Sequence, residues 1–169
     1  MRNANRPAPI APGAIPLTGL LQIASEAMLA EFREELTRNG YEDLRPTHGC
    51  VFRFVREDGM RLTELASHAG ITKQSAGELV DDLVGLGYVE RIADPADKRA
   101  KLICLTERGR QAQRVGFSLF TKIERRWAEH FGEQRFEQLR QLLEEIAADR
   151  APAAVPELSQ AALAGTRGE

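Results

Sequence analysis

Leu62–Leu105 reads LTELASHAGITKQSAGELVDDLVGLGYVERIADPADKRAKLICL, and the change of hydrophobic period along it decides the fold. Thr63 offers a cap to a short helix whose inward positions are Leu65, Ala66 and Ala69, and Gly70 permits a tight turn after it. Thr72 caps a second helix, in which Ala76, Leu79, Val80 and Leu83 stand at i, i+3, i+4 and i+7 and so share one apolar stripe. Two short helices joined through a glycine turn make a helix-turn-helix. After Gly85-Leu86-Gly87 the pattern changes to strand formers, in Tyr88-Val89-Glu90-Arg91-Ile92 and again in Lys101-Leu102-Ile103-Cys104-Leu105. The polar turn between them, Asp94 to Ala100, carries the adjacent cations Lys98 and Arg99. A strand, a charged loop and a second strand directly behind a helix-turn-helix are the parts of a winged helix.

Upstream, Leu20, Leu21, Ala24, Ala27, Met28 and Phe32 recur at helical spacing from a cap at Thr18 until Asn39-Gly40. Pro46 then opens a second helix with Val51, Phe52, Phe54 and Val55 as its apolar body, broken at Asp58-Gly59, and Met60-Arg61-Leu62 suits a strand stub. Downstream, Thr106 caps a long helix carrying Ala112, Leu119, Phe120, Ile123, Trp127 and Phe131, and Gly132 stops it. A last helix from Glu133 aligns Phe136, Leu139, Leu142, Leu143 and Ile146 on one face. These two helices carry more apolar surface than a small wing can bury, which points to a partner chain.

The whole chain has 169 residues, 43% of them hydrophobic, with 23 Lys and Arg against 25 Asp and Glu. A net charge of -2 argues against binding nucleic acid by bulk charge, so any such function must lie in a local motif. Cys50 and Cys104 are too far apart for a paired zinc knuckle and do not form a disulfide scaffold, which makes a reducing, cytoplasmic setting the default. No charge occurs between Arg6 and Glu26, yet prolines 7, 9, 12 and 16 break that run, and we expect neither a membrane span nor a secretory leader. Residues 1–17 read as a Pro/Ala-rich disordered arm and 151–169 as a disordered tail, leaving 18–150 as one domain.

On the helix that follows Thr72, the side chains off the apolar stripe are Lys73, Gln74, Gly77, Glu78 and Asp81. Its first turn is the part suited to bases. Unpaired N–H groups there bind phosphate, Gln74 has the amide geometry for an adenine edge, Ser75 can reach base or phosphate, and Lys73 suits a phosphate.

The order and spacing of Leu62-Thr63-Glu64-Leu65-Ala66, Ile71-Thr72-Lys73-Gln74-Ser75, Gly87-Tyr88-Val89-Glu90-Arg91 and Asp94 to Leu102, running into Leu105-Thr106-Glu107-Arg108-Gly109-Arg110, resemble the MarR family of bacterial transcriptional regulators. The resemblance covers roughly Thr18 to Arg150. It implies a mainly α fold with a small β wing: a winged helix-turn-helix over 46–105, with dimerisation helices over 18–41 and 106–150. It implies a homodimer on a pseudo-palindromic duplex, with repression by promoter occlusion as the default, and no cofactor. In the family an arginine matching Arg99 enters the minor groove, held by an aspartate matching Asp97 through paired hydrogen bonds, while Lys98 and Lys101 would add phosphate contacts. The expected DNA-binding set is therefore Thr72, Lys73, Gln74, Ser75, Asp97, Lys98, Arg99 and Lys101. A small aromatic or phenolic acid is the effector class the resemblance implies, with Phe32, Arg45, His48, Phe52 and Phe117 as the matching region.

Two other classes of function remain at this point. An enzyme lacks support: His48, His68 and His130 have no spacing partners for a metal, Asp94 and Asp97 sit in a wing rather than a cleft, and Gly85-Leu86-Gly87 follows a helix, as a C-cap does. A winged helix that contacts protein instead of DNA draws on Glu78, Asp81 and Asp82, where many relatives carry basic side chains. If DNA is the target, those acids either confine readout to the first turn or face cations elsewhere in the dimer. Cys50, next to Val51-Phe52, reads as a buried inert thiol rather than a redox sensor.

Overall fold

Two threonine caps fix the frame. In the computed structural model, which describes residues 15–97 and 99–150, the Thr72 hydroxyl accepts the Ser75 N–H at 3.1 Å and the Thr106 hydroxyl accepts the Gly109 N–H at 3.0 Å. They open helices α4 (Lys73–Gly85) and α5 (Glu107–Phe131). Before them come α1 (Leu17–Arg38), a 3-10 turn at Pro46–His48 leading into α2 (Gly49–Phe54), strand β1 (Met60–Arg61) and α3 (Leu62–Ala69). The wing strands are β2 (Val89–Ala93) and β3 (Lys101–Leu105), and α6 (Glu133–Arg150) follows α5 across Gly132. The fold is mainly α with a small β wing, as the sequence predicts.

Two expected caps are not used. Helix α1 begins at Leu17, inside the stretch read as an arm, because the Pro16 carbonyl accepts the Gly19 and Leu20 N–H groups, and Thr18 lies within the helix. Residues 1–14 and 151–169, the rest of the expected arm and the tail, lie outside the described residues. Thr63 is not the cap of α3 either. Strand pairing runs through Arg61, and the Glu64 carboxylate accepts the Arg61 N–H at 3.1 Å, so Arg61 holds the capping position. Gly70, at φ +63°, ends α3 in the left-handed conformation that the turn requires.

The sheet has the order β1-β3-β2, antiparallel throughout, with Met60 opposite Ile103 and Val89 opposite Leu105. Its inner face and the stripes of α3 and α4 bury Met60, Leu65, Val80, Leu83, Tyr88 and Ile103 almost completely. A second contact lies between α1 and α5, where Phe32 stacks on Phe120 at 3.9 Å between ring centroids. The two regions are joined by Tyr88: its hydroxyl donates to Asp43 at 2.8 Å, and Arg108 of α5 donates to Asp43, to that hydroxyl and to the Leu86 carbonyl, each at 2.9 Å. Burial and the neighbouring Asp43 carboxylate push the phenol up to about 12, so it stays a donor across the physiological range.

The Arg108 network needs α5 to approach β2 closely, and Gly109 permits that. A methyl group at Gly109 would stand 2.0 Å from the Tyr88 carbonyl oxygen. By contrast, α6 buries no side chain among its described residues: Leu139, Leu142, Leu143 and Ile146 are exposed, as are Leu17, Leu20, Leu21 and Ile23 of α1 and Phe131 of α5. Among the described residues no helix is long and apolar enough to cross a membrane.

Candidate nucleic-acid interface

The first turn of α4 presents the residues singled out for base and phosphate contact. Thr72, Lys73 and Gln74 are exposed and Ser75 is half-buried, its hydroxyl 2.9 Å from that of Thr72. The Gln74 amide donates to the Glu78 carboxylate at 3.0 Å, one turn along the same face.

The acidic residues further along α4 meet cations of their own subunit. Asp81 pairs with Arg91 of β2, which ties the wing to the flank of α4. Asp82 pairs with Arg45 and accepts from His48 Nε2 at 2.8 Å. The His48 ring is 1% exposed, its Nδ1 accepts the Arg45 N–H at 3.1 Å, and burial together with the Arg45 charge lowers its pKa, so at neutral pH it serves as a neutral donor to Asp82. Of the three acids, Asp81 and Asp82 meet the expectation of pairing with cations, though within one chain, whereas Glu78 bonds to Gln74.

In the wing, the Asp97 carboxylate accepts the backbone N–H of Arg99 at 3.0 Å and the Asp97 carbonyl accepts the Ala100 N–H at 2.8 Å. Asp97 therefore shapes the turn, and the expected bond to the Arg99 guanidinium is not the one formed. Arg99 and Lys101 are exposed, and Lys98 lies outside the described residues.

What anchors the loop is a half-buried pair that the sequence reading missed. Asp94 is 5% exposed; it accepts from Arg61 Nε at 2.8 Å and from the Ala96 N–H at 2.8 Å. Arg61 is 33 residues away, and the two meet only because β1 pairs with β3. The Arg61 hydrogen bond, and after it the Ala96 amide, hold the Asp94 carboxyl below the ordinary carboxylate range. A depressed carboxylate stabilises the fold fully above the unfolded value, about pH 4, and loses that contribution as pH falls through the folded value. We expect Asp94→Asn to flatten this acid dependence and to speed amide exchange at Ala96 and Arg99. Unchanged exchange at both would mean the pair does not anchor the loop.

The five residues of the expected effector region are engaged separately. Phe32 is stacked on Phe120, Arg45 and His48 are bonded to Asp82, Phe52 sits edge-on to Tyr88 at 6.0 Å, and Phe117 is exposed. A groove beside α4 is lined by Arg45, Thr47, Ile71, Ser75, Glu78 and Leu79, so Arg45 alone of the five borders it. Cys50 and Cys104 are both half-buried, and burial pushes each thiol up, away from the reactive thiolate.

Comparison with known proteins places these features. A MarR family model matches residues 42–100. The exopolysaccharide II synthesis transcriptional activator ExpG of Rhizobium meliloti is 30% identical over 95 residues, 56% of this chain and 49% of that protein. A second curated relative is matched over 42% of its length, so the chain spans about half or less of the curated relatives it matches. Among solved structures, the transcriptional regulator PA4135 is 32% identical with a TM-score of 0.65, over 82% of this chain and 99% of that one. CouR from Rhodococcus jostii RHA1, solved with p-coumaroyl-CoA, is 27% identical with a TM-score of 0.62, over 78% of this chain and 91% of that one. CouR, there described as a transcriptional repressor, is also solved on a 23-mer DNA duplex.

Proposed function

Because this chain belongs to the MarR family of winged helix-turn-helix transcriptional regulators, we propose that it binds a pseudo-palindromic operator in double-stranded DNA as a homodimer, in the cytoplasm. One observation carries this reading against a protein-binding winged helix: the acids that would repel DNA, Asp81 and Asp82, are neutralised by Arg91 and Arg45 of the same subunit. The first turn of α4 and the Arg99 wing are left as the surfaces that meet DNA. Lys73, Ser75 and Lys101 take phosphates, as does Lys98, Gln74 reads a base edge, and Thr72 and Asp97 hold the backbone that presents them.

The homodimer is supported by the apolar residues left exposed on α1, α5 and α6, which a two-fold contact would bury. Repression is the default because a dimer seated on a promoter excludes polymerase. Relatives of both signs occur, CouR described as a repressor and ExpG as an activator, so operator position sets the outcome.

Effector control by a small aromatic acid, through the region of Phe32, Arg45, His48, Phe52 and Phe117, has a physical route in this chain. A ligand carboxylate that captured Arg45 would strip Asp82 of its cationic partner, leaving only the His48 hydrogen bond to it, and place an uncompensated charge on α4.

The test is a mobility shift on the intergenic DNA beside the gene, with salt titration, alongside sedimentation. We expect nanomolar, steeply salt-dependent binding by a dimer. A stable monomer at micromolar concentration, or binding no tighter than to bulk DNA, would overturn the reading.

A further inference from the structure

We propose that Glu78 is a specificity-determining residue, whose carboxylate, set beside Gln74, selects an exocyclic amino group in the major groove. This rests on the DNA-binding reading above. Glu78 is exposed on α4 one turn beyond Gln74, and it borders the groove that also holds Ser75 and Arg45. Unlike Asp81 and Asp82, it has no cationic partner among the described residues; its bond is to the Gln74 amide at 3.0 Å. A carboxylate can only accept, so this bond fixes the amide with its nitrogen toward Glu78 and its oxygen outward. The free valences of the pair are then the amide oxygen and the remaining carboxylate lone pairs, which accept, and the second amide N–H, which donates; the Glu78 carboxylate itself can only accept.

In the major groove the only donors on base edges are adenine N6 and cytosine N4, whereas guanine O6 and thymine O4 are acceptors and would repel the Glu78 carboxylate. The strand facing Glu78 should therefore carry adenine or cytosine at the base its carboxylate touches. An unneutralised carboxylate on a DNA-facing helix weakens binding to any sequence that does not supply such a donor. Glu78 thus acts more by rejecting wrong sites than by adding affinity.

Every base pair carries one of these amino groups, on one strand or the other, so base preference alone cannot identify the contact and amino deletion is the direct probe. The operator is first selected from random duplexes with the full-length protein. Each adenine or cytosine of a half-site is then replaced in turn by its analogue lacking the amino group, and affinities are measured for the wild type and for Glu78→Ala. Alanine is a good helix former at an exposed position, so the variant keeps its fold. We expect one or two amino deletions that cost the wild type about tenfold and cost Glu78→Ala little, a coupling that only a shared contact produces. Glu78→Ala should also bind random duplex more tightly. Equal losses in both proteins at every position would overturn the inference while leaving the regulator intact. Failure of the wild type to enrich any sequence would instead bring down the DNA-binding reading, and this inference with it.

Discussion

Gly109→Ala should cost about 3 kcal/mol of folding stability, near the upper end of what overpacking a tight contact usually costs. The added methyl would lie 2.0 Å from the Tyr88 carbonyl oxygen and 3.3 Å from Leu105 Cβ. The nearest obstacle is backbone, so no rotamer change relieves it. The start of α5 must move away from β2, which strains the Thr106 N–H bond to the same Tyr88 oxygen, 3.0 Å in the native fold, and the Arg108 bonds to Tyr88 and Asp43. Against a total stability of about 5–15 kcal/mol this is a large fraction, and a midpoint lower by about 10 °C is expected. Urea unfolding of the two proteins measures it directly. A difference within about 0.5 kcal/mol, the range of ordinary surface substitutions, would mean that α5 packs less closely on β2 than described.

The second large effect falls on function. Arg99→Ala should weaken operator binding by about 1–3 kcal/mol, roughly five- to 150-fold, with the dimer and its thermal midpoint unchanged. The separation of the two effects follows from the wing's construction. Asp97 bonds the backbone N–H of residue 99, which alanine retains, and the loop is anchored through Asp94 and Arg61 rather than through the Arg99 side chain. The guanidinium is exposed, and among the described residues it joins no bond or ion pair that holds the fold together. Equilibrium titration on the operator, with binding to random duplex as reference, reads the effect. Equal affinity for wild type and variant would remove the wing from the interface.

Element order, the helix-turn-helix, the wing and the Thr72 and Thr106 caps were legible because each rests on neighbouring residues: a period, a cap or a glycine within a turn of the feature it controls. The Thr18 and Thr63 caps were misplaced for the complementary reason. A capping residue competes with whatever else can satisfy the first helical N–H groups, and the Pro16 carbonyl and the pairing of β1 decided those ends. The residues proposed to face DNA on α4 could be named from the stripe alone, since helical geometry fixes what lies opposite Ala76, Val80 and Leu83.

By itself, then, the sequence determined the fold class and the family, and it named the two surfaces proposed to meet DNA. Only the tertiary structure decided how the charges on and beside those surfaces are used. It paired Asp81 with Arg91, Asp82 with Arg45 and His48, and Asp94 with Arg61, and it left Glu78 to its helical neighbour Gln74. Those pairings join residues 10 to 37 positions apart. Charge carries no periodicity that survives such distances, and a carboxylate finds its cation only after strands pair and helices pack, whereas hydrophobic spacing records the burial pattern locally.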